Sequence, residues 1–209
     1  MTTTPTRLVI ASSNAGKLAE FEQLFAGSGI EVVSQGSLGI TDADETGLTF
    51  VENAQLKARR AARATGLPAL ADDSGLCVDA LGGAPGLHSA RYSGVHGDAS
   101  ANIDTLLAAM NGVPAARRGA HFHAVIVLLR HPEDPQPLIA EGSWPGVILE
   151  ARRGRGGFGY DPVFLDPRHG LSAAEIDPAL KNRISHRGQA LAVLRSRLLA
   201  SLAGLRCSP

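Results

Sequence analysis

Several features that often direct an interpretation are scarce in this chain of 209 residues. The two cysteines, Cys77 and Cys207, are too few for a disulfide framework or a cysteine-rich metal site, and they favour a reducing compartment. The formal net charge is zero, so no overall field attracts nucleic acid or an anionic membrane. No apolar run is long enough to cross a membrane, and Met1–Thr6 lacks the features of a signal peptide. These absences predict a cytoplasmic protein that binds neither nucleic acid nor membranes.

Lysine is also rare, because only Lys17, Lys57 and Lys181 are lysines among the 20 basic residues. Because the chain has no net positive charge, any anionic ligand needs a local basic site. Lysines beside polar loops are therefore candidates to bind such an anion. Hydrophobic residues make up 44% of the chain and charged residues 19%, which is typical of a soluble globular protein. The length predicts a single domain over residues 1–209.

The most informative stretch for function is Leu70-Ala71-Asp72-Asp73-Ser74-Gly75, which contains two adjacent carboxylates and a hydroxyl. An apolar approach ends in two adjacent carboxylates, as expected of a buried strand that delivers acids to the rim of a sheet. The carboxylates of Asp72 and Asp73 repel each other, so a cation should compensate them, and such oxygen ligands suit Mg²⁺. Asp-Asp-Ser-Gly is also ordinary turn chemistry, and this stretch alone leaves both interpretations open.

A short β-rich run over residues 7–11 is followed by the polar loop Ser12–Lys17 and an amphipathic helical pattern. This order places free backbone N–H groups and Lys17 at a helix N-terminus, which favours anion binding. The alternative is an ordinary N-cap by Ser12, Ser13 or Asn14, with Lys17 solvated.

The acidic loop over residues 41–46 contains Asp42-x-Asp44-x-Thr46, which matches the nucleophile motif of haloacid-dehalogenase phosphatases. That motif requires an apolar strand directly before it, and the glycine-broken lead-in here does not provide one. We expect instead that Glu45 contributes a carboxylate to a metal shared with Asp73.

Periodicity predicts most of the remaining elements. Thr49 and Glu52 form a predicted capping box at the start of a helix.

His121 and His123 share one face of a predicted strand, and in the absence of a nearby third ligand they are better explained as tolerated half-buried histidines than as a metal pair. Trp144 is expected in the core. The predicted strands are 30–33, 121–129, 137–140 and 144–149, and the predicted helices cover 49–64, 98–110 and a carboxy-terminal segment through Leu202.

The glycine-rich segment over residues 152–162 is the second informative stretch. Its glycines permit close backbone approach to a ligand, Phe158 and Tyr160 can stack on a flat ring, and Asp161 can accept from ring N–H groups. A flexible glycine loop with incidental aromatics remains the alternative. Further on, His186 and Arg187 at a helix entrance are either a surface cap or hydrogen-bond donors to a phosphate or a base.

Taken in order, these stretches resemble the inosine/xanthosine triphosphate pyrophosphatase family almost from end to end. Each segment is weak alone, but their order and spacing together are specific. The segments are Ser12-x-Asn14-x-x-Lys17, Glu45-Thr46-Gly47-x-Thr49-Phe50-x-Glu52-Asn53-Ala54, Ala71-Asp72-Asp73-Ser74-Gly75-Leu76, Gly83-Ala84-Pro85-Gly86 with Ser89-Ala90-Arg91-Tyr92, Gly157-Phe158-Gly159-Tyr160-Asp161-Pro162, and Ser185-His186-Arg187-Gly188.

The resemblance implies an α/β fold with an elongated mixed central sheet, flanking helices, two lobes around a nucleotide cleft, and a homodimer. It implies Mg²⁺-dependent hydrolysis of non-canonical purine nucleoside triphosphates such as dITP, ITP and XTP to the monophosphate and pyrophosphate. Two alternatives are a pyrophosphatase for modified pyrimidine nucleotides and a nucleotide-binding regulator without catalysis.

The resemblance also implies roles for individual residues. Asp73 would be the general base, and Glu45 and Asp73 would hold Mg²⁺ with Asp72 in support. One departure is visible, because many family members have glycine where this chain has Ser13, so backbone approach to the phosphates there is expected to differ slightly. The implied substrate-binding residues are Ser12, Ser13, Asn14, Ala15, Gly16 and Lys17 for the triphosphate, Ser74 for a further substrate contact, Phe158, Gly159, Tyr160 and Asp161 for the purine, and Lys181, His186 and Arg187 for the base and phosphates.

Overall fold

The computed structural model describes residues 6–205, with the backbone alone described for Thr6, Ala15 and residues 199–205. Cys207 lies outside the described residues, as does the start of the chain up to residue 5. Across residues 6–205, no helix combines the length and the apolar character needed to cross a membrane. The strands are β1 (Thr6–Ile10), β2 (Ile30–Ser34), β3 (Ala69–Val78), β4 (Gly119–Leu129), β5 (Leu138–Ile148), β6 (Phe164–Asp166) and β7 (Leu171–Ser172), and the α-helices are α1 (Ala15–Phe25), α2 (Phe50–Thr65), α3 (Ala99–Ala109), α4 (Pro178–Ile184) and α5 (His186–Leu205).

The strands form one sheet in the order β2-β1-β3-β4-β5-β6-β7. β1 pairs in parallel with β2 and with β3, and Leu8 lies opposite Val32. β6 pairs antiparallel with β5 and with β7, and Ile148 lies opposite Phe164. The predicted α/β class with a mixed sheet is therefore confirmed.

The chain divides into two compact units. Among the described residues, the first unit comprises residues 6–73, 125–140 and 190–205, and the second comprises residues 74–124 and 141–189. In the first unit, the alanines of α2 pack against β3 and β4 in a core that includes Ala54, Ala58, Ala69 and Val125. Small side chains on the helix permit close approach to the sheet.

The core of the second unit is built around aromatic side chains. The ring of Phe164 lies 4.5 Å from that of Phe122 and 5.1 Å from that of Trp144, measured between centroids. Trp144 is buried, as predicted, and its Nε1–H donates to the buried Asp166 carboxylate at 2.9 Å. The hydrogen bond satisfies the polar group of a ring that is otherwise surrounded by apolar side chains.

Two predictions of strand bounds are wrong. β3 continues to Val78, so Asp72 and Asp73 lie within the strand and form neither its end nor a turn. The strand continues because Leu76 and Val78 are buried in the core of the second unit. The segments predicted as two strands over 137–140 and 144–149 form the single strand β5, since its exposed Glu141 and Ser143 alternate with buried neighbours and do not interrupt it.

The predicted capping box at the start of α2 is confirmed. The Thr49 Oγ1 atom accepts from the Glu52 N–H at 3.2 Å, and Glu52 Oε2 accepts from the Thr49 N–H at 2.9 Å. At the other end, Gly66 adopts a φ of 69°, a left-handed conformation that suits glycine. These caps determine where α2 begins and ends, and so which of its side chains face the acidic loop.

Candidate active site

The loop over residues 12–17, between β1 and α1, forms its own hydrogen-bonded turn. Ser12 Oγ accepts from the Asn14 N–H at 3.1 Å, and Asn14 Oδ1 accepts from the Lys17 N–H at 3.1 Å. Asn14 is the N-cap of α1, which confirms that one of the three candidate residues caps this helix. The alternative of a solvated Lys17 is wrong, because its ammonium group pairs with the carboxylate of Asp72.

Asp72 is 2% exposed and extends from β3 in the first unit. A buried carboxylate is costly unless a cation or hydrogen-bond donors compensate it. The ion pair with Lys17 supplies that compensation, as the sequence led us to expect for one of the two acids.

Glu45 and Asp73 converge on the ammonium group of Lys57, which α2 carries. Lys57 Nζ lies 3.1 Å from Glu45 Oε1 and 2.7 Å from Asp73 Oδ1. The three side chains are mostly buried, so their charges interact through a poorly screened environment. Burial, assisted by the nearby Glu45 carboxylate, raises the pKa of Asp73 although the ammonium groups of Lys57 and Lys17 oppose that shift. Burial lowers the pKa of Lys57, but the carboxylates of Asp73, Glu45 and Asp72 together outweigh this effect and the net pKa is raised.

Lys57 is a residue of the candidate site to which the sequence motifs assigned no role. Two signals in the sequence pointed to it: it is one of three lysines, and it lies one turn after Asn53 on a helix that follows the acidic loop. Neither signal shows that its ammonium group reaches Asp73, 16 residues further along the chain.

The donor set of Glu45 and Asp73 fits a divalent cation. Their oxygen atoms point at one cationic position, and carboxylate oxygens are the ligands that Mg²⁺ prefers. Within residues 6–205, no group of three or more histidine, cysteine, aspartate or glutamate side chains is arranged to hold a metal ion by itself. A metal bound here would therefore take its remaining ligands from water or from a phosphate-bearing substrate, which is the usual arrangement for Mg²⁺.

The acidic loop that carries Glu45 is attached to α2 on either side of that residue. Before it, the Arg60 guanidinium donates to the Thr41 carbonyl at 3.1 Å and to Thr41 Oγ1 at 2.6 Å. After it, the Gly47 N–H donates to Asn53 Oδ1 at 2.8 Å. A Cβ atom at Gly47 would lie 2.6 Å from Glu52 Cβ, so this close approach of the loop to the helix requires glycine.

In the second unit, Asp161 organises the glycine-rich segment. Its buried carboxylate accepts from the Phe158 N–H at 2.6 Å and pairs with the ammonium group of Lys181 from α4. The sequence suggested that Asp161 accepts from ring N–H groups of a ligand. In the structure, its Oδ2 atom holds the loop and the lysine in place.

Phe158 and Tyr160 have different environments despite their proximity in the sequence. The Phe158 side chain is 59% exposed, with Lys181 Nζ 4.8 Å and Arg187 Cζ 5.9 Å from its ring centroid. Tyr160 is buried in the core of the second unit, and its hydroxyl donates to the Ser89 carbonyl at 2.9 Å. Stacking on a flat ring, suggested by the sequence for both aromatics, is therefore available to Phe158 and not to Tyr160 in this structure.

His186 and Arg187 begin α5, and both are buried. The His186 ring stacks on Phe122 with a centroid separation of 4.8 Å, and Arg187 Nη2 donates to Ser74 Oγ at 3.2 Å. The alternative that they form a surface cap is wrong. Their position at a helix start is readable from the sequence, but their burial depends on residues distant in the chain.

His121 and His123 are both half-buried on β4. Burial lowers the pKa of His123, and the nearby carboxylate of Glu141 opposes that shift. This environment is compatible with tolerated histidines, the interpretation that the sequence favoured.

The structure thus groups the predicted residues within each unit. Lys17 joins Asp72, and Glu45 joins Asp73, in the first unit. Phe158, Asp161, Lys181 and Arg187 form a second group, together with Ser74 and His186, in the second unit. Fold and residues define a mixed α/β protein with buried carboxylates that lysines compensate.

Comparison with known proteins then identifies the family. A model described as the Ham1 family matches residues 8–197. A dITP/XTP pyrophosphatase of Xanthomonas campestris pv. campestris (strain 8004) is 68% identical over 193 residues, which cover 92% of this chain and 97% of that protein. A dITP/XTP pyrophosphatase of Methylococcus capsulatus is 63% identical over 198 residues, covering 95% and 98%. The structure of a HAM1 protein from Coxiella burnetii matches with a TM-score of 0.89 and 48% identity, covering 93% of this chain and 99% of that chain. The chain belongs to the Ham1 family, and the family predicted from its motifs is confirmed.

Proposed function

We propose that this protein is a nucleoside-triphosphate pyrophosphohydrolase that converts dITP, ITP and XTP to the monophosphate and pyrophosphate with Mg²⁺. The observation that carries the proposal is the convergence of the Glu45 and Asp73 carboxylates on one cation, the ammonium group of Lys57. A protein that only bound nucleotides would not need two carboxylates held together at this cost in charge repulsion. The names of the relatives, which are dITP/XTP pyrophosphatases, support the same reaction.

The chemistry follows from the side chains of the first unit. Bound Mg²⁺ would be held by Glu45 and Asp73, and it would neutralise charge on the phosphate oxygens. The Asp73 carboxylate accepts a proton from a water molecule whose oxygen bonds to the α-phosphorus. The bond from this phosphorus to the bridging oxygen breaks, and pyrophosphate leaves. Lys17 and the N–H groups at the start of α1 bind the departing phosphates, since catalysis of phosphoryl transfer rests mainly on positioning and charge stabilisation.

Purine selectivity is assigned to the second unit. The exposed ring of Phe158 provides a stacking surface, and Lys181, His186 and Arg187 are hydrogen-bond donors. Hypoxanthine and xanthine carry a 6-oxo group where adenine has an amine. A site that donates to this oxygen rejects adenine, because adenine leaves the donors unpaired.

The proposal includes two properties that rest on the family resemblance and on the chemistry of the substrate. A homodimer is expected, which sedimentation equilibrium tests directly. A cytoplasmic location is expected for an enzyme that removes deaminated purines from the nucleotide pool.

The test is release of pyrophosphate from dITP, XTP, dATP and dGTP with Mg²⁺ by the wild type, Asp73→Asn and Asp44→Asn. The wild type should hydrolyse dITP and XTP selectively. Asp73→Asn should lose at least about 100-fold in kcat, because the amide cannot accept the proton and is a poorer metal ligand. Asp44→Asn is the matched control, since Asp44 is an exposed acid next to Glu45 in the acidic loop, and it should retain activity.

Other outcomes separate the alternatives. Preferential hydrolysis of modified pyrimidine triphosphates would replace the purine assignment. Binding of dITP without release of pyrophosphate would favour a regulator. Full activity in Asp73→Asn would refute the role assigned to this carboxylate.

A further inference from the structure

Ser13 makes a contact that differs in kind from those of its neighbours in the 12–17 loop. The side chains of Ser12 and Asn14 accept hydrogen bonds from within that loop. The Ser13 hydroxyl instead donates to Asp42 Oδ2 at 2.9 Å, across 29 positions of sequence. The serine hydroxyl thus connects the candidate phosphate loop to the acidic loop.

Asp42 is itself anchored on its other carboxylate oxygen. Gln35 Nε2 donates to Asp42 Oδ1, and the Gln35 side chain is buried, with the whole residue 3% exposed. The Gln35 backbone is fixed as well, because its N–H donates to the Ile10 carbonyl of β1 at 3.0 Å and its carbonyl accepts from the Ile40 N–H at 3.0 Å. Asp42 therefore connects two residues: the buried Gln35, which follows β2 and bonds to β1, and the more exposed Ser13.

The segment next to Asp42 leads directly to Glu45, the carboxylate proposed above to hold the metal. Thr41 is held by Arg60, and Glu45 is held by Lys57, one turn earlier on the same helix. Asp42 thus lies three residues before Glu45, in a short segment that α2 holds at Thr41 and at Glu45.

We propose that the Ser13–Asp42 hydrogen bond couples the phosphate loop to the acidic loop, so that Ser13 and Asp42 are positioning residues for the triphosphate and for Glu45. The inference rests on the proposed function and deepens it. Occupancy of the 12–17 loop by phosphates then orders the segment that carries Glu45. The coupling is a property of this chain's own residues and does not require that Ser13 contact the substrate.

The first test measures coupling without catalysis. Backbone hydrogen exchange over residues 41–47 is followed by mass spectrometry in metal-free protein, with and without inorganic triphosphate as the probe. Triphosphate should slow exchange in this segment in the wild type by roughly fivefold, an effect that is lost in Ser13→Ala and in Asp42→Ala. Ser13→Thr, which keeps the hydroxyl, should retain it. Ser28→Ala is the matched control, because its exposed hydroxyl bonds locally to the Phe25 carbonyl at 2.6 Å.

The second test is a double-mutant cycle on the KM for dITP at saturating Mg²⁺. Ser13→Ala and Asp42→Ala should each raise the KM by roughly fivefold, with kcat changed less than about twofold. The double variant should be no worse than either single variant, since both remove the same contact. If the two effects multiply, the Ser13 hydroxyl acts on the substrate independently of Asp42 and the proposal is refuted.

Exchange that is equally protected by triphosphate in Ser13→Ala and in the wild type would also overturn the proposal. A failure of the proposed function is distinguishable from this. A wild type that releases no pyrophosphate, but whose segment 41–47 still loses triphosphate protection on Ser13→Ala, would retain the coupling and lose the reaction.

Discussion

At the scale of single residues, the Lys57 side chain compensates the charges of the two carboxylates proposed to hold the metal. Its ammonium group lies between two carboxylates that would otherwise repel each other in a partly buried setting. Removing one member of such a group leaves like charges uncompensated, which costs more than the intact interaction contributes. A divalent cation at the same carboxylates would replace or supplement that compensation.

We predict that Lys57→Met lowers the free energy of unfolding of the metal-free protein by about 2–4 kcal/mol at pH 7. Addition of Mg²⁺ should raise the Tm of this variant more than that of the wild type, because the metal compensates the charges that Lys57 no longer balances. Urea and thermal unfolding, each with and without Mg²⁺, measure both effects.

Arg63→Met on the same helix is the control for the loss of a cation. Arg63 lies 3.7 Å from Glu133 in an exposed pair, so its removal should cost less than about 1 kcal/mol. A Lys57→Met variant as stable as this control would contradict the compensating role of Lys57.

At the scale of elements, the conformation of the glycine-rich segment depends on the Asp161 carboxylate and on glycine at a position where a side chain would not fit. Gly157 has a φ of +72°, and a Cβ atom there would lie 2.0 Å from Asp161 Oδ2. That oxygen accepts from the Phe158 N–H, so the same atom determines the loop conformation and the position of the exposed ring. Gly159 also has a positive φ of +57°, but a Cβ atom there meets no other atom within 4 Å.

We predict that Gly157→Ala raises the KM for dITP by about tenfold or more, because the new methyl group displaces Asp161 and with it Phe158 and Lys181. Gly159→Ala carries a similar penalty for left-handed backbone, about 1 kcal/mol, without the clash, and should change the KM less than about threefold. Steady-state kinetics of both variants give the comparison. Equal KM values would show that backbone strain, and not the contact with Asp161, is what matters.

At the scale of the whole molecule, acid stability is expected to depend on buried carboxylates that accept several hydrogen bonds. Asp166 accepts from Trp144 Nε1 at 2.9 Å and from the Arg168 N–H at 2.7 Å, and it contacts His169 Nδ1 at 3.1 Å. Burial alone would raise the pKa of Asp166, but these hydrogen bonds outweigh it and hold the pKa below its usual value.

We predict that this carboxylate stabilises the fold above its unfolded-state pKa of about 4 and that the stabilisation is lost as the pH falls through the lower folded-state pKa. Asp166→Asn should therefore lose about 2 kcal/mol at pH 7, and its deficit relative to the wild type should shrink below about pH 4. Urea unfolding at a series of pH values measures the deficit.

Asp104→Asn is the matched control, because this side chain is 65% exposed in its pair with Arg152. Its stability should stay within about 1 kcal/mol of the wild type at pH 7. A deficit of Asp166→Asn that is independent of pH would mean that the loss is one of packing and not of a hydrogen-bonded charge.

The sequence by itself determined most of the longer helices and strands and the residue types of the candidate site. The capping box of Thr49 and Glu52, the N-cap at the start of α1 and the burial of Trp144 depend on neighbouring residues or on apolar character, so pattern and spacing are sufficient to predict them. The motifs likewise identified the family, because residue types in a given order are a property of the chain.

Only the tertiary structure decided which charges compensate which, and which rings are exposed. Lys57 meets Asp73, and Lys17 meets Asp72, because strands and helices distant in sequence pack together. Tyr160 is buried while Phe158 is exposed, although the two are separated by a single glycine. Ion pairing and burial depend on the three-dimensional neighbours of a side chain, and local sequence carries little information about those neighbours.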